Sequence, residues 1–438
     1  MSCNWPEFTI DEIKAPTKGA IAMGPFGSRI KAENFVDSGV PVLKGGNLHG
    51  AYINDSDCDF LTEEKADELK SSVVYEGDIV ITHRGTIGQV SIVSDESKYP
   101  RYVVSQSQLK ISLDKTKVNP YYVNYYLRSR LGQHQLLSFA SQVGVPAIAK
   151  ASTSVKQIRV PCPPLTVQEK IVDFIRVIDR KHTNNSSVNQ TLEEMAQAIF
   201  KSWFVDFDPV KAKMNGDQPE GMDAATASLF PEKLVESEFG LIPEGWEVKP
   251  LDKVAHFQNG LALQKFRPES EDDDFLPVLK IAQLRQGYCD GKEKARTDIK
   301  ESCRVYDGDM IFSWSGTLMI DLWTGGNAAL NQHLFKVTSE EYNLPLYFYW
   351  TKHHLAKFQQ IAKDKAVTMG HIKRGHLSES LCVVPPKALR DKMDEILLPL
   401  INQGLNLRLQ SNQLATLRDT LLPKLLSGEI ELAEKQEN

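Results

Sequence analysis

The sequence lacks the features that would place the protein in a membrane, outside the cell or around a metal ion. None of its apolar runs approaches the ~20 residues that span a bilayer. Its opening, MSCNWPEFTIDEIK, has neither the basic nor the apolar segment of a secretory signal. The six cysteines are scattered without a Cys-X-X-Cys pair, which argues against a zinc site and a disulfide framework. We therefore expect a cytoplasmic protein that contacts no membrane.

The common catalytic and ion-binding motifs are also missing. There is no Gly-X-X-X-X-Gly-Lys-Ser/Thr phosphate loop, which argues against ATP hydrolysis by this chain. The sequence Asn-Pro-Tyr-Tyr at Asn119–Tyr122 lacks the second proline of the loop with which amino-methyltransferases grip adenine. Asp55, Asp57 and Asp59 begin like a calcium loop but lack its later glycine and glutamate. The sequence thus predicts no catalytic residue, no metal site and no cofactor in this chain.

The composition is that of a globular protein with an uneven distribution of charge. The 438 residues are 41% hydrophobic and 25% charged, and this length predicts two to four domains. The net charge is −6, yet the segment from Arg101 to Arg159 has nine basic residues and one acid, Asp114. The segment from Lys352 to Arg374 has six basic residues and one acid, Asp364. One such segment is most simply a solvated face, but two at matching places predict contacts with nucleic-acid phosphates.

The two basic segments belong to a tandem repeat. VYEGDIVITHRGTIG (Val74–Gly88) recurs as VYDGDMIFSWSGTLM (Val305–Met319), with Gly-Asp and Gly-Thr in common. Other pairs follow in the same order in both halves: PVLKGGNL with PVLKIAQL, SQSQLKI with NQHLFKV, and VNPYYVNYY with NLPLYFYW. Their patterns predict short strands after Gly-Asp turns and a helix capped by Asn119. We interpret the chain as a duplicated domain whose loops differ between the copies.

A long helix with a heptad pattern is predicted after each Pro-Pro pair. The pattern is offset by 222 residues between the copies (393 − 171), and we expect the helices, each about 50 Å long, to pair antiparallel. The first predicted seam is Ile171, Phe174, Ile178, Lys181, Asn185, Val188, Leu192, Met195, Ile199 and Ser202. The second is Met393, Ile396, Leu400, Gln403, Leu407, Gln410, Leu414, Leu417, Leu421 and Lys424. The polar residues at mid-seam would fix the register, and Pro399 would kink the second helix or delay its start.

Four segments carry a resemblance to a known family. They are VPCPPLTVQEKIVDFI (Val160–Ile175), IFKSWFVDFDPVKAK (Ile199–Lys213), SEFGLIPEGWEVKPL (Ser237–Leu251) and LRDTLLPKLLSGEIEL (Leu417–Leu432). These segments resemble the conserved regions of specificity (S) subunits of type I restriction–modification enzymes. The second Pro-Pro segment departs from the first, because Arg390 and Asp391 replace the equivalents of Gln168 and Glu169.

The resemblance implies an α+β fold. Two similar mixed α/β target recognition domains would be separated by two long antiparallel coiled-coil helices, as a tandem repeat with a pseudo-twofold arrangement. The expected boundaries are residues 1–164 for the first domain, 165–210 for the first helix, 211–240 for a connector over the surface, 241–386 for the second domain and 387–438 for the second helix and tail.

The resemblance also implies a subunit without catalysis. Each domain would read one half of a bipartite, asymmetric double-stranded DNA target, while the helices set the spacer and dock two methyltransferase (M) subunits. Restriction (R) subunits would complete the hetero-oligomer. S-adenosylmethionine, ATP and Mg²⁺ would then bind to the partner subunits.

Loop residues that suit phosphates or base edges are the candidate DNA contacts. In the first domain they are Arg29, Lys44, Asn47, His83, Arg84, Thr86, Gln106 and Gln142. In the second they are Lys265, Arg267, Lys280, Gln283, Arg285, Trp314, Ser315, Gln332, Lys373 and Arg374. Two alternatives remain at this point. One is a self-contained DNA adenine methyltransferase with an attached recognition domain, and the other is a protein scaffold that binds no DNA.

Overall fold

The computed structural model describes residues 5–26, 29–141, 144–364 and 370–432. It divides into two compact units, which we describe separately. The first unit comprises Met1–Arg180 with Leu414–Asn438, and the second comprises Lys181–Gln413. Within the described ranges, no helix is both long and apolar enough to cross a membrane.

The first unit is a mixed α/β domain. Its strands are β1 (Glu7–Thr9), β2 (Ile21–Met23), β3 (Phe35–Val36), β4 (Val40–Leu43), β5 (Asp59–Leu61), β6 (Val73–Val74), β7 (Ile79–Thr82), β8 (Val90–Ile92), β9 (Tyr102–Val104), β10 (Gln108–Ile111), β11 (Ala140–Ser141), β12 (Ala147–Ile148) and β13 (Arg159–Pro161). Its helices are α1 (Ile10–Ile13), α2 (Glu63–Glu68), α3 (Pro120–Arg128), α4 (Arg130–Ser138), α5 (Ala151–Lys156) and the beginning of α6 (Leu165–Phe204). The two main sheets have the strand orders β3-β5-β4-β9-β6 and β2-β10-β7-β8.

The second unit contains the end of α6 and a second mixed domain. Its other helices are α7 (Asp208–Met214), α8 (Ala224–Ser228), α9 (Leu251–Val254), α10 (Ile281–Gln286), α11 (Leu344–Asp364), α12 (Arg374–Ser378) and the beginning of α13 (Lys387–Leu426). Its strands are β14 (Leu234–Ser237), β15 (Gly240–Pro243), β16 (Glu247–Pro250), β17 (His256–Asn259), β18 (Phe275–Leu279), β19 (Lys294–Arg296), β20 (Arg304–Val305), β21 (Met310–Ser313), β22 (Met319–Leu322), β23 (Ala328–Leu330), β24 (Leu334–Thr338) and β25 (Leu381–Val384). The main sheets are β19-β18-β23-β20 and β17-β24-β21-β22.

The two domains share their main sheet topology, apart from the additional edge strand β3 in the first domain, so the duplication and the α+β fold predicted from the sequence are confirmed. β2-β10-β7-β8 corresponds to β17-β24-β21-β22, strand for strand. In the other sheet each domain has one parallel pair, β4 with β9 and β18 with β23. Each domain is closed by its first and last strands, which pair as β1 with β13 and β16 with β25.

The repeated Gly-Asp dipeptide is explained by the turn before the central strand. Gly77 and Gly308 have φ angles of +87° and +90°, which favour glycine. The following carboxylates, of Asp78 and Asp309, accept the backbone N–H of the residue three positions earlier at 2.9 and 2.7 Å. The dipeptide is therefore shared because it builds the scaffold.

A buried lysine is the second shared scaffold element. Lys336 on β24 contacts Asp309 at 2.7 Å, and the equivalent Lys110 on β10 donates to the carbonyl of Val73 at 2.8 Å. Burial lowers the pKa of Lys110 and raises the pKa of Asp78. The sequence counted Lys110 among phosphate-contacting residues, and this is corrected because its ammonium group lies inside the domain.

Two equivalent glycines allow close approach of backbone segments. A Cβ at Gly24 would lie 1.9 Å from the carbonyl oxygen of Ser105, and one at Gly260 would lie 2.2 Å from that of Leu330. We expect Gly260→Ala to lower the free energy of unfolding by roughly 2–4 kcal/mol, because backbone must move. Chemical denaturation measures this, with Gly375→Ala in α12 as the control because its Cβ would meet only the Glu379 carboxylate, at 4.0 Å. Equal stability of the two variants would contradict the expectation.

The long helices have equal length, and their bounds repeat the predicted offset. α6 and α13 have 40 residues each, and both ends differ by 222 (387 − 165 and 426 − 204). Each unit contains the beginning of one helix and the end of the other, which pack antiparallel as predicted. Asp179, near the beginning of α6, accepts hydrogen bonds from Tyr125 at 2.8 Å and from Arg418, near the end of α13, at 3.3 Å. Pro399 lies inside α13, so it does not delay the start of that helix.

The buried stripe of each helix differs from the predicted heptad seam at alternate positions. Met195 and Leu417 are 49% and 45% exposed, whereas Ala196 and Leu422 are buried. Other buried positions of the two helices include Ile175, Trp203, Leu397, Ile401 and Leu425, and the predicted seam residues Ile171, Ile178 and Met393 are also buried. The reason is that each helix packs against its own domain as well as against the other helix. Its apolar face therefore follows the 3.6-residue period of a core helix rather than 3.5.

The middle of the helix pair is polar, as the sequence indicates. The Asn185 side chain is buried and donates to Gln410 Oε1 at 2.7 Å. A Cβ at Gly404 would lie 2.6 Å from Asn189 Oδ1. These contacts align α6 with α13 because a slip of one turn would break the hydrogen bond and drive a larger side chain against Asn189.

The connector after α6 is more ordered than predicted. It contains α7, α8 and the hairpin β14–β15, and Phe207, Val210 and Phe230 are buried in the core of the second unit with Trp246. Of these residues only Phe230 belongs to the predicted connector, residues 211–240, and most residues from 214 to 225 are exposed, so the connector runs over the surface and is attached to the core at Phe230. The helix predicted after Asn119 is also interrupted, since Ser129 ends α3 and caps α4.

Candidate nucleic-acid interface

Three loops of each domain meet at one edge of the four-stranded sheet. We define the first loop cluster as residues 83–88, 105–107 and 146–150. We define the second loop cluster as residues 314–317, 331–333 and 370–374. Neither set contains Asp or Glu, while the first includes Arg84 and Lys150 and the second includes Lys373 and Arg374. An acid-free, basic edge suits a polyanion.

Matching backbone hydrogen bonds hold both clusters. In the first, the N–H of Ile148 donates to the carbonyl of His83 at 2.8 Å, and that of Gly85 to Pro146 at 2.9 Å. In the second, Ile372 donates to Trp314 at 3.0 Å, and Gly316 to Gly370 at 2.8 Å. His83 and Trp314 therefore occupy one structural position, as do Arg84 and Ser315. The backbone scaffold is therefore shared between the two clusters, while the side chains at equivalent positions differ.

The first cluster presents Arg84 to solvent above a buried histidine. His83 is buried, and its Nε2 lies 3.2 Å from the carbonyl oxygen of Gln106. Burial lowers the pKa of His83 below its ordinary value, so the ring is neutral at pH 7. Arg84, Thr86 and the Gln106 side chain are exposed. Of these predicted contacts, His83 supports the loop, and the other three are free to reach a base edge.

The second cluster replaces the arginine with an aromatic and histidine group. The half-buried ring of Trp314 lies 5.7 Å from that of Phe335 and 6.0 Å from that of His333. Ser315 is buried, and its Oγ lies 3.2 Å from His333 Nδ1. Gln332 Nε2 lies 3.4 Å from His333 Nε2. His333 is not among the contacts predicted from the sequence. Its place in NQHLFKV, where the first copy has Ser107, is the signal that could have found it.

The two cations at the end of the second cluster, Lys373 and Arg374, differ in their contacts within the domain. Lys373 is exposed. Arg374, also exposed, donates to the carbonyl of Phe257 at 3.1 Å and lies 5.5 Å from the ring centre of Phe335. His371 brings its ring to 6.3 Å from Trp314 and is a second residue that the sequence did not select. Lys373 is thus the cation best placed for a phosphate.

Several predicted contacts lie outside the loop clusters and have structural partners. Lys44 forms an ion pair with Asp59, and Lys280 forms the equivalent pair with Glu293. Asn47 is buried and donates to the carbonyl of Asn54 at 2.8 Å. These residues shape the loops that follow β4 and β18. Lys44 and Lys280 are shared by both copies, which favours a role in phosphate contact or structure over the reading of a particular base, and their ion pairs agree with a structural role.

The remaining predicted contacts are not brought together. Exposed side chains are those of Arg29, Lys265, Arg267 and Arg285, and Gln283 is half-buried. Gln142 lies outside the described residues. Gln283 and Arg285 lie in α10, and none of these residues belongs to either loop cluster.

Several basic residues of the segment from Arg101 to Arg159 form ion pairs or hydrogen bonds within the first domain. Arg101 bonds Glu63 and Asp67, and Arg128 donates to the carbonyls of Gly50 and Val90 at 2.6 and 2.5 Å. The cations left exposed are Lys115, Lys117, Arg130, Lys150 and Arg159. Lys110 has an internal partner too, Lys117 donates to the carbonyl of Glu12 at 2.9 Å, and Lys156 lies 3.6 Å from Asp11. Five of the nine basic residues therefore have partners within the domain, so fewer cations than the sequence indicated remain as candidates for phosphate contact.

The described side chains form no cluster of His, Cys, Asp or Glu that could hold a metal ion. Cys58, Cys162, Cys289, Cys303 and Cys382 are free thiols. The loop clusters consist of donors, acceptors and aromatic surface, which suits binding.

Comparisons with known proteins agree with this geometry. A family model described as the type I restriction modification DNA specificity domain matches residues 24–194 and again residues 243–414. The MjaIX type I restriction enzyme specificity subunit of Methanocaldococcus jannaschii is 25% identical over 387 residues, covering 85% of this chain and 82% of that protein. The HindI specificity subunit of Haemophilus influenzae is 25% identical over 323 residues, covering 63% and 70%. The crystal structure of a type I restriction–modification S subunit from M. genitalium has the same fold, with a TM-score of 0.54 at 14% identity over 96% of both chains.

Proposed function

The chain belongs to the family of type I restriction–modification DNA specificity subunits, and from that premise we propose that its two domains read the two halves of a bipartite DNA target. The observation that carries this proposal is the pair of loop clusters. Equivalent backbone bonds hold them, neither contains an acid, and their exposed side chains differ. Arg84 suits guanine, which presents two acceptors to a bidentate donor. The second cluster offers the half-buried ring of Trp314 with Gln332, His333 and His371.

The helix pair supports the proposed spacer function. α6 and α13 are continuous over 40 residues, which at ~1.5 Å per residue is about 60 Å of helix. The Asn185–Gln410 hydrogen bond fixes their register. Because the register of α6 against α13 is fixed, the length of the helix pair is fixed. The number of unread base pairs between the half-sites would therefore be constant.

The partners proposed for this chain are M subunits, R subunits and double-stranded DNA. Val177, Met195 and Leu417 are apolar residues of the long helices that remain exposed, and such side chains suit a protein interface. Under this proposal S-adenosylmethionine, ATP and Mg²⁺ bind to the partners, and the chain itself carries no catalytic residue.

We expect the isolated chain to bind duplex DNA weakly and with strong salt dependence, because phosphate contacts supply the non-specific affinity. Sequence-specific binding, roughly 10³-fold tighter or more, is expected once M subunits are added. Fluorescence anisotropy over a series of salt concentrations measures both. Binding by the M-containing complex that ignores sequence would refute the proposal. Calorimetric binding of S-adenosylmethionine to the chain alone would instead favour a self-contained methyltransferase.

A further inference from the structure

An arginine of α13 forms an ion pair with the β21–β22 hairpin, which carries one of the three loops of the second loop cluster. Arg408 donates from both terminal nitrogens to the two carboxylate oxygens of Asp321, at 2.8 and 2.7 Å. Both side chains are about one quarter exposed, at 28% and 26%. A bidentate pair of this kind fixes direction as well as distance.

Asp321 lies close in the fold to residues 314–317 of the second loop cluster. Asp321 lies on β22 opposite Ile311 of β21, and β21 ends at Ser313, the residue before Trp314. One helical turn after Arg408, Asn412 donates to the carbonyl of Thr324 at 2.7 Å, just beyond the end of β22. Two successive turns of α13 thus hold the strand that pairs with the loop-bearing strand.

The first unit holds the equivalent strand by a different chemistry. The equivalent of Asp321 is Ser91, because Asp321 pairs with Ile311 and Ser91 pairs with the matching Val80. The carbonyl of the neighbouring Val90 accepts a bond from Arg128 of α3. Beyond β8, Arg176 and Arg180 of α6 bond Asp95 at 2.6 Å and Glu96 at 2.9 Å. Arginines therefore fix the hairpin beneath the loops in both units, although they come from different positions. Because different residues achieve the same attachment, the attachment itself is the common requirement.

We propose that Arg408 and Asp321 are positioning residues for recognition of the second half-site. Neither residue is part of the second loop cluster, so their effect would pass through the orientation of the β21–β22 hairpin. Base-edge hydrogen bonds weaken steeply with misalignment, and a loop displaced by about 1 Å would lose discrimination before it lost phosphate contacts. The inference rests on the proposed function, because it assumes that this domain reads DNA.

The test uses the complete complex of this chain with its M partner. Arg408→Ala, Arg408→Lys and the exchanged pair Arg408→Asp/Asp321→Arg are compared with wild type by methylome sequencing and by thermal denaturation of the chain. We expect Arg408→Ala to relax discrimination at the second half-site roughly tenfold, with the first half-site unchanged. Lysine should rescue only in part because it cannot form the bidentate pair, and the exchanged pair should restore discrimination.

Lys387→Ala is the matched control, since it removes a cation of α13 whose ion pair, with Asp391, lies within the helix. A merely structural role predicts a lower melting temperature and equal losses at both half-sites in Arg408→Ala, with no rescue by exchange. That pattern, or full second-site discrimination in Arg408→Ala, would overturn the inference. The wild-type complex distinguishes failure of this inference from failure of the proposed function. If its methylome showed no bipartite motif, the proposed function itself would be refuted.

Discussion

Four residues inserted into both α6 and α13 are expected to lengthen the unread spacer of the target and to leave both half-sites unchanged. Four residues add about one turn, or ~6 Å, so the faces of each helix are nearly preserved. That length corresponds to roughly two base pairs of B-form DNA. Methylation at the original sites should fall to background, and sites with the longer spacer should become methylated.

The positions of the two insertions must match across the helix pair. The heptad pattern places them near Asn184 and Asn406. Asn185 is hydrogen-bonded to Gln410, so Asn184 lies beside Gln410 across the helix pair. Gln410 is one helical turn after Asn406. The second insertion therefore belongs directly after Gln410.

An insertion in one helix alone is the control, since it separates Asn185 from its partner and misaligns the apolar faces on one side. We expect that variant to lose sequence-specific methylation altogether. If the paired insertion changed a half-site while the spacer stayed constant, the helices would not set the spacing, and this part of the proposal would be wrong.

Arg84→Ala should relax the first half-site without unfolding the domain. The Arg84 side chain is exposed in the first loop cluster, so its loss should cost recognition about 1–3 kcal/mol, a factor of roughly ten to a hundred in affinity. Competition binding of the M-containing complex to duplexes that differ at one half-site measures this. Lys70→Ala, which removes an exposed cation outside the cluster, is the control.

Asn47→Ala is expected to give the opposite pattern. Its buried amide bonds the carbonyls of Asn54 and Asp57 at 2.8 and 3.2 Å, so its removal should lower the free energy of unfolding by roughly 1–3 kcal/mol. If Asn47→Ala kept full stability and lost half-site discrimination, our assignment of Asn47 to the scaffold would be contradicted.

The fold was predictable from the sequence because repeated local patterns determine it. The Gly-Asp turn at Gly77, the constant offset of the long helices and the polar middle of both helices were all visible in the repeated sequence. At alternate sites of the predicted seam the buried residue is a neighbour of the predicted one. For example, Ala196 is buried in place of Met195. A heptad pattern describes two helices alone, whereas these helices also pack against domains whose positions the sequence does not show.

The candidate interface was less predictable, because it depends on which loops meet. Arg84 and Trp314 were found by comparing the two copies. His333 and His371 were missed, since they join the cluster through loops distant in sequence. Arg408 could not be selected either, because it is one of many charges on α13 until the structure pairs it with Asp321.

Methylome sequencing of cells that express this chain with its M partner, compared with cells that express the M partner alone, tests the central claim most directly. The account predicts adenine methylation at one split, asymmetric motif with a constant spacer, present only when this chain is present. Methylation at a continuous motif, or a methylome that does not depend on this chain, would contradict it.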